Sequence, residues 1–343
     1  MEEKVRIVFP AVEAYNDGFW HCRIVAWISY DYGRTFIRTI ITAYDAGAHH
    51  SRIYTPIAAN SPYGTIIIGD FRDEGKLKSF YLDNAGAFSI SPTISLLNYS
   101  IAEVQFFKGS IWVARVPADF IADAKMMVSF DNMTTWSAMA LPPAAFPDQQ
   151  SVLESNGLYL LVLTQNAYMS TDALSFSEII LPMSMLYPAD GSLYKDKCFI
   201  VYWHSMPPPF DVFTTSSVAE ISPTQLNILS VTNSIVNRIR LTEKNCLLVK
   251  DGFFQRATVD AFDTIPSGVN VFDPSVYSAG KIMSIDDQIS CFALRDAWFD
   301  VQSMVIMKDE SIFNTATVAA ATPGATFTGY PLVITPALRE IKL

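Results

Sequence analysis

The stretch Ser29–Phe36, reading Ser-Tyr-Asp-Tyr-Gly-Arg-Thr-Phe, constrains the fold of this chain more than any other. Its Asp carboxylate can accept hydrogen bonds from the backbone N–H groups of a tight turn. Gly33 supplies a backbone angle that most residues avoid, and the closing aromatic returns to the core. Such a stretch staples a hairpin. Degenerate copies follow at Leu82–Phe88, Ser129–Trp136 and Ser170–Phe176, with their aspartates at Asp83, Asp131 and Asp172. A recurring staple means a recurring hairpin unit.

Between the staples the chain alternates short runs rich in Val, Ile, Tyr, Phe and Thr with clusters of Pro, Gly, Asn and Asp, the pattern of strands and turns. No window of helical length carries convincing i, i+3, i+4 apolar spacing. The first unit reads as strands at 6–9, 20–28 and 36–42. The four aspartates lie 52, 48 and 41 residues apart, and periods of about 40–50 residues with several strands each are those of propeller blades. Three later units lack the staple but keep the rhythm, with hairpin turns expected near Ser216, Asp260 and Asp309. The expectation is an all-β chain, a single propeller domain over 1–343 with seven four-stranded antiparallel blades, or six if two poorer units merge. The segment 319–343, with a strand candidate at 331–335, either closes the ring beside the N-terminal strand or reaches a neighbouring subunit.

The Ser29–Phe36 pattern matches the Asp-box, and with its three weaker copies the chain resembles the sialidase-like, or BNR-repeat, propellers. That resemblance implies boxes on outer hairpins, away from the centre of the ring, so the four aspartates are structural. An active sialidase would also need three arginines clamping a carboxylate, a Tyr–Glu nucleophile pair and an acid/base Asp. The expected Arg-Ile-Pro segment is not matched, since Arg6-Ile7 precedes Val8 and Arg52-Ile53 has its proline only at Pro56. Arg238 and Arg240 fall on an expected inner strand, but no tyrosine lies between Leu229 and Val271.

Outside that family pattern, Glu103 and Glu154 fall on expected inner strands of neighbouring units. Paired carboxylates across a cleft are the equipment of glycoside hydrolysis, although such groups more often sit in water or pair with a cation such as Arg52. Asp70, Asp73 and Glu74 lack a regular calcium-ligand pattern. His49 and His50 are adjacent and would point to opposite sides of a strand, so no metal or cofactor is expected. The loop from Trp203 to Phe210, with three consecutive prolines, could present Trp203, Met206 and Phe210 to a protein partner or a sugar ring. The scattered cysteines read as buried free thiols, though disulfides remain open for a protein exported from the cell.

A net charge of −10 argues against nucleic-acid or anionic-membrane surfaces. No apolar run approaches the ~18 residues that span a bilayer, and the acidic start MEEKVRIVFP is not a signal peptide. The leading expectation is a non-enzymatic structural or interaction propeller bound to other subunits of an assembly. The resemblance suggests a phage virion or tail component, made in the host cytoplasm. The alternatives are a glycan-active enzyme, a sialidase or related glycosidase, and a lectin-like glycan binder using Arg52, Glu103, Glu154 and Arg238.

Overall fold

The computed structural model describes residues 5–16, 20–31, 33–47, 57–61, 64–71, 76–82, 88–90, 103–116, 125–141, 152–164, 166–179, 187–195, 197–205, 214–222, 225–232, 236–242, 244–250, 252–258, 268–276, 278–279, 282–285, 289–295, 301–308, 311–317, 326–329 and 333–336. Among them every regular element is a strand, and the strands form seven antiparallel sheets, each from one stretch of chain except the first, which two C-terminal strands join. By contacts the chain divides into two compact units, Met1–Val104 with Val276–Leu343, and Gln105–Ser275.

In the first unit, β1 (Val5–Asn16), β2 (Trp20–Ser29) and β3 (Ile37–Gly47) form one sheet. A second contains β4 (Ile57–Ser61), β5 (Gly64–Phe71), β6 (Lys76–Leu82) and β7 (Phe88–Ile90). The second unit carries four more. They are β8 (Glu103–Lys108) to β11 (Ser137–Ala138), through β9 (Ile111–Val116) and β10 (Lys125–Ser129); and β12 (Val152–Ser155) to β15 (Ser177–Ile179), through β13 (Leu160–Leu163) and β14 (Ala167–Ser170). Then come β16 (Tyr187–Tyr194), β17 (Lys197–Ser205), β18 (Thr214–Ser222) and β19 (Gln225–Thr232), and finally β20 (Val236–Leu241), β21 (Asn245–Lys250), β22 (Phe253–Thr258) and β23 (Val269–Asn270). The first unit ends with β24 (Ser278–Ala279), β25 (Met283–Ile285), β26 (Ile289–Arg295), β27 (Val301–Lys308) and β28 (Ser311–Thr317).

The last two strands, β29 (Thr326–Gly329) and β30 (Val333–Pro336), return to β1. Both run antiparallel along the edge of β1 that β2 leaves open. Gly329 stands opposite Ala11 and Val333 opposite Val8, so the pair reads as one strand interrupted beside Phe9 and Pro10, where proline has no N–H to offer. β24 and β25 likewise lie in line along β26. Counted this way every sheet is four strands wide. Four-stranded antiparallel sheets in sequence, with the C-terminal strand completing the first, are the architecture of a β-propeller.

Packing in the second unit follows from the two-residue period of a strand. Leu160 and Val162 face a cluster with Phe107, Val113, Met126, Val128 and Tyr168. Their neighbours Leu161 and Leu163 face the other way, onto Cys198 and Ile200. Phe199 and Val201 then turn to Ile239, Leu241 and Leu248. The central strands β13 and β17 are thus apolar on both faces, which explains why their sequences are continuous hydrophobic runs. Each fully buried Leu, Val or Phe contributes roughly 1.5–3 kcal/mol. Cys198 and Cys246 are buried free thiols within these layers, and Cys291, in the first unit, is likewise a buried free thiol. Burial pushes all three thiols well up in pKa, with the Glu154 charge adding to the effect at Cys198, so they are unreactive.

Three of the four staples are described, each joining the third and fourth strands of its sheet. In the first, Asp31 Oδ1 accepts the Thr35 N–H at 2.9 Å and Oδ2 the Thr35 hydroxyl at 2.6 Å, while Ser29 Oγ donates to Asp31 and accepts the Gly33 N–H, both at 2.8 Å. The Ser129–Trp136 copy repeats this network bond for bond, with Met133 in the glycine position at φ +70°. The Ser170–Phe176 copy is one residue shorter. There Ala173 follows the aspartate directly at φ +62°, and Asp172 Oδ1 accepts the N–H groups of Leu174 and Ser175 at 2.8 Å. In the remaining copy, 83–87 lie outside the described residues. The turn expected near Ser216 is a correction, because Ser216 lies inside β18, opposite Trp203 and Thr232. The Thr/Ser-rich run reads as a turn by composition, but threonine's branched Cβ suits a strand, and the strand instead ends at Ser222. Asp260 and Asp309 lie outside the described residues, in the stretches joining β22 to β23 and β27 to β28.

Gly33 has φ +83°, and a Cβ there would come 2.5 Å from Ile306 Cδ1. The isoleucine tip can move aside, but the backbone strain remains, so Gly33→Ala should cost about 1–2 kcal/mol in chemical denaturation. Thr135, through its hydroxyl and then its N–H, with help from Ser129, holds the Asp131 carboxyl down to about 2. A lowered folded pKa adds stability above the unfolded value of about 4, and that stability is lost as pH falls from there towards about 2. The melting temperature of Asp131→Asn should therefore fall furthest below wild type at neutral pH, with the gap closing across that acid window. A gap that stays constant with pH would contradict this.

Candidate functional site

The first strands β8, β12, β16 and β20 of the second unit's sheets each have a neighbouring strand of their own sheet on one edge only. The opposite edge carries backbone groups that other donors and acceptors must satisfy. The polar residues of these strands do so. Asp190 Oδ2 accepts the Ile239 N–H and Ser192 Oγ the Leu241 N–H, both at 2.9 Å. The i, i+2 spacing of Asp190 and Ser192 on β16 matches that of the two N–H groups on β20. Both side chains are buried. Gly191 between them faces the other way, and a Cβ there would come 2.9 Å from Leu163 Cδ1. Gln105 Nε2 on β8 donates in the same manner to the carbonyl of Leu153 on β12 at 2.6 Å.

On this framework sits an ion pair. Arg240 Nη1 lies 2.7 Å from Glu154 Oε1, and Gln105 Nε2 lies 3.5 Å from Oε2. The Glu154 side chain is 3% exposed and that of Arg240 26%. A carboxylate this deep needs its charge met. One oxygen faces a guanidinium and the other an amide, so Glu154 ties β12 to β8 and β20.

Of the residues singled out in the sequence, Glu103 opens β8 and is half-buried, Glu154 lies in β12, and Arg238 lies half-buried in β20 two residues before Arg240. Trp203 is in β17 opposite Tyr187. Arg52, Met206 and Phe210 lie outside the described residues, as do Asp73, Glu74, His49 and His50. Asp70 lies in β5 opposite Leu77. Among the described residues no group of three or more His, Cys, Asp or Glu is placed to hold a metal ion. The structure brings Glu154 to Arg240, a partner the sequence did not indicate across 86 positions. Gln105, Asp190 and Ser192 were also missed. The available signal was polar residues at alternate positions of strands otherwise apolar.

No protein-family model matches the sequence, and comparison with curated proteins finds no relative. Solved structures resemble it in fold. YCF48 bound to D1 peptide aligns with TM-score 0.51 at 10% identity, over 77% of this chain and 80% of that one. The computationally designed Ika8 protein aligns with TM-score 0.52 at 11% identity, over 93% and 96%. A prolyl endopeptidase aligns with TM-score 0.55 at 9% identity, over 93% of this chain but only 50% of its own. At such identities the likeness is one of fold, and this fold serves enzymes and binding proteins alike.

Removing one member of a buried ion pair leaves the other uncompensated. Because Glu154 is the deeper group, Arg240→Ala should cost more than Glu154→Ala, about 3–4 against about 2–3 kcal/mol. The double variant should be less destabilised than the sum of the two, and additive losses in urea titration would show that the pair is not coupled.

Proposed function

We propose that the chain is a non-enzymatic interaction propeller of a larger assembly, its seven sheets being seven blades of a sialidase-like, Asp-box ring. The observation that carries this reading is the state of Glu154. Of the two carboxylates that the sequence offers for glycoside chemistry, Glu103 and Glu154, the second is buried and paired with Arg240. Hydrolysis needs one carboxyl free to give up a proton and another to meet the sugar. Glu154 serves as a tie between strands instead. The described Asp-box carboxylates, those of Asp31, Asp131 and Asp172, are also occupied, each by N–H and hydroxyl groups of its own turn.

A propeller kept for its surface rather than its chemistry suits an assembly subunit, and a phage virion or tail is the assembly that the Asp-box resemblance suggests. Its partners are then other protein subunits. The test combines native mass measurement with a panel of chromogenic glycosides and a glycan array. Self-association, or capture of particle components by the purified chain, with no turnover, is the expected outcome. Turnover that Glu154→Gln abolishes while the melting curve stays cooperative would overturn it in favour of a glycosidase. A monomer that is positive on the array would make it a lectin.

A further inference from the structure

The sequence contains one Asn–Gly dipeptide, Asn156–Gly157, in the turn between β12 and β13. Asn156 Oδ1 accepts the N–H groups of Leu158 at 3.0 Å and Tyr159 at 2.9 Å. Its Nδ2 donates at 2.7 Å to the carbonyl of Lys195, in the turn between β16 and β17. Lys195 has φ +53° and Gly157 φ +83°. A left-handed backbone comes easily to glycine but is unfavourable for lysine. The Asn156 amide therefore braces two hairpins of neighbouring sheets and secures the carbonyl of a strained residue.

Asn–Gly is also the pairing most open to self-modification, because glycine has no side chain to shield its own nitrogen. We propose that Asn156 is a deamidation site gated by this brace. In the reaction the Gly157 nitrogen attacks Asn156 Cγ, forming a new C–N bond and losing its proton. The Cγ–Nδ2 bond breaks, and the nitrogen departs with that proton as ammonia. Water then opens the resulting succinimide at either carbonyl, leaving aspartate or isoaspartate at position 156. Turning the carboxamide towards Gly157 would break the bonds to Leu158, Tyr159 and Lys195 together, so the folded turn suppresses the attack and local opening permits it.

The product cannot rebuild the brace. Aspartate has no N–H to give, and its oxygen would face the Lys195 carbonyl, acceptor against acceptor. Isoaspartate adds a backbone methylene in a turn where the space at Gly157 is bounded by the Phe107 carbonyl, 3.5 Å from a would-be Cβ. Each opening that leads to reaction thus removes this bond between the two hairpins irreversibly.

The full chain would be incubated in mildly alkaline buffer, folded and in urea, with the peptide containing Asn156 followed by mass and by isoaspartate labelling. Conversion should be slower by on the order of tenfold or more in the folded chain, and the melting temperature should fall in step with the fraction converted. Asn156→Gln, one methylene longer and slow to cyclise, should hold its melting temperature through the same incubation. Equal rates folded and unfolded, converted protein that melts like the fresh chain, or equal ageing of the Gln variant would each overturn the proposal.

Discussion

The first strand of each sheet in the second unit has hydrogen-bonding groups on an edge that no strand of its own sheet covers, and much of that unit is arranged around the need to satisfy them. An unpaired buried N–H costs about 1–3 kcal/mol, so several such groups along one strand would rival the net stability of a whole domain. Side chains from a neighbouring first strand solve the problem at Ile239, Leu241 and Leu153. The solution imposes residue types. Asp190, Ser192 and Gln105 must be polar, must alternate with residues that face a core, and must be short or flexible enough to reach a backbone one strand away. The Glu154–Arg240 pair extends the same logic with charge, and being charged it demands a partner where Gln105 merely benefits from one.

The outer hairpins meet a different constraint. Each must reverse direction in a few residues while aiming one N–H inward at a serine hydroxyl. Glycine does this without strain at Gly33, yet Met133 and Ala173 adopt left-handed angles at the corresponding points. The hydroxyl and carboxylate networks account for the tolerance, since the bonds that the Met133 N–H donates to Ser129 Oγ and the Ala173 N–H to Ser170 Oγ match the 2.8 Å bond from the Gly33 N–H. Met133 is also buried, so it recovers by packing some of what its backbone loses. The serine and aspartate thus define the staple, and the glycine only eases it.

This division marks what could be read from sequence. Staples and strands are local patterns, and the units built on Asp31, Asp131 and Asp172 stand where spacing and alternation placed them. The C-terminal segment was legible as a strand-bearing piece with two alternative destinations, and its strands β29 and β30 pair with β1. What composition obscured was Ser216, where a Ser/Thr run is equally at home in a turn and in a strand. What no local pattern holds is the meeting of Glu154 with Arg240. That pair depends on which strands the packing brings side by side, and either residue alone looks like an ordinary charge on a strand.

The same packing decides which apolar side chains of the second unit stay exposed. Sheets β12–β15 and β16–β19 have apolar neighbours on both faces, and the open edge of β12 is met at Leu153 by Gln105. Their remaining surface is turns and outer edges. Among the described residues of the second unit, the large apolar side chains left exposed are Phe130, Leu158, Leu174 and Phe253, each in or beside a turn. Turns carried on a rigid stack can vary without disturbing the layers beneath them. Hydrophobic exposure among the described residues of this unit is therefore concentrated where substitution disturbs the fold least.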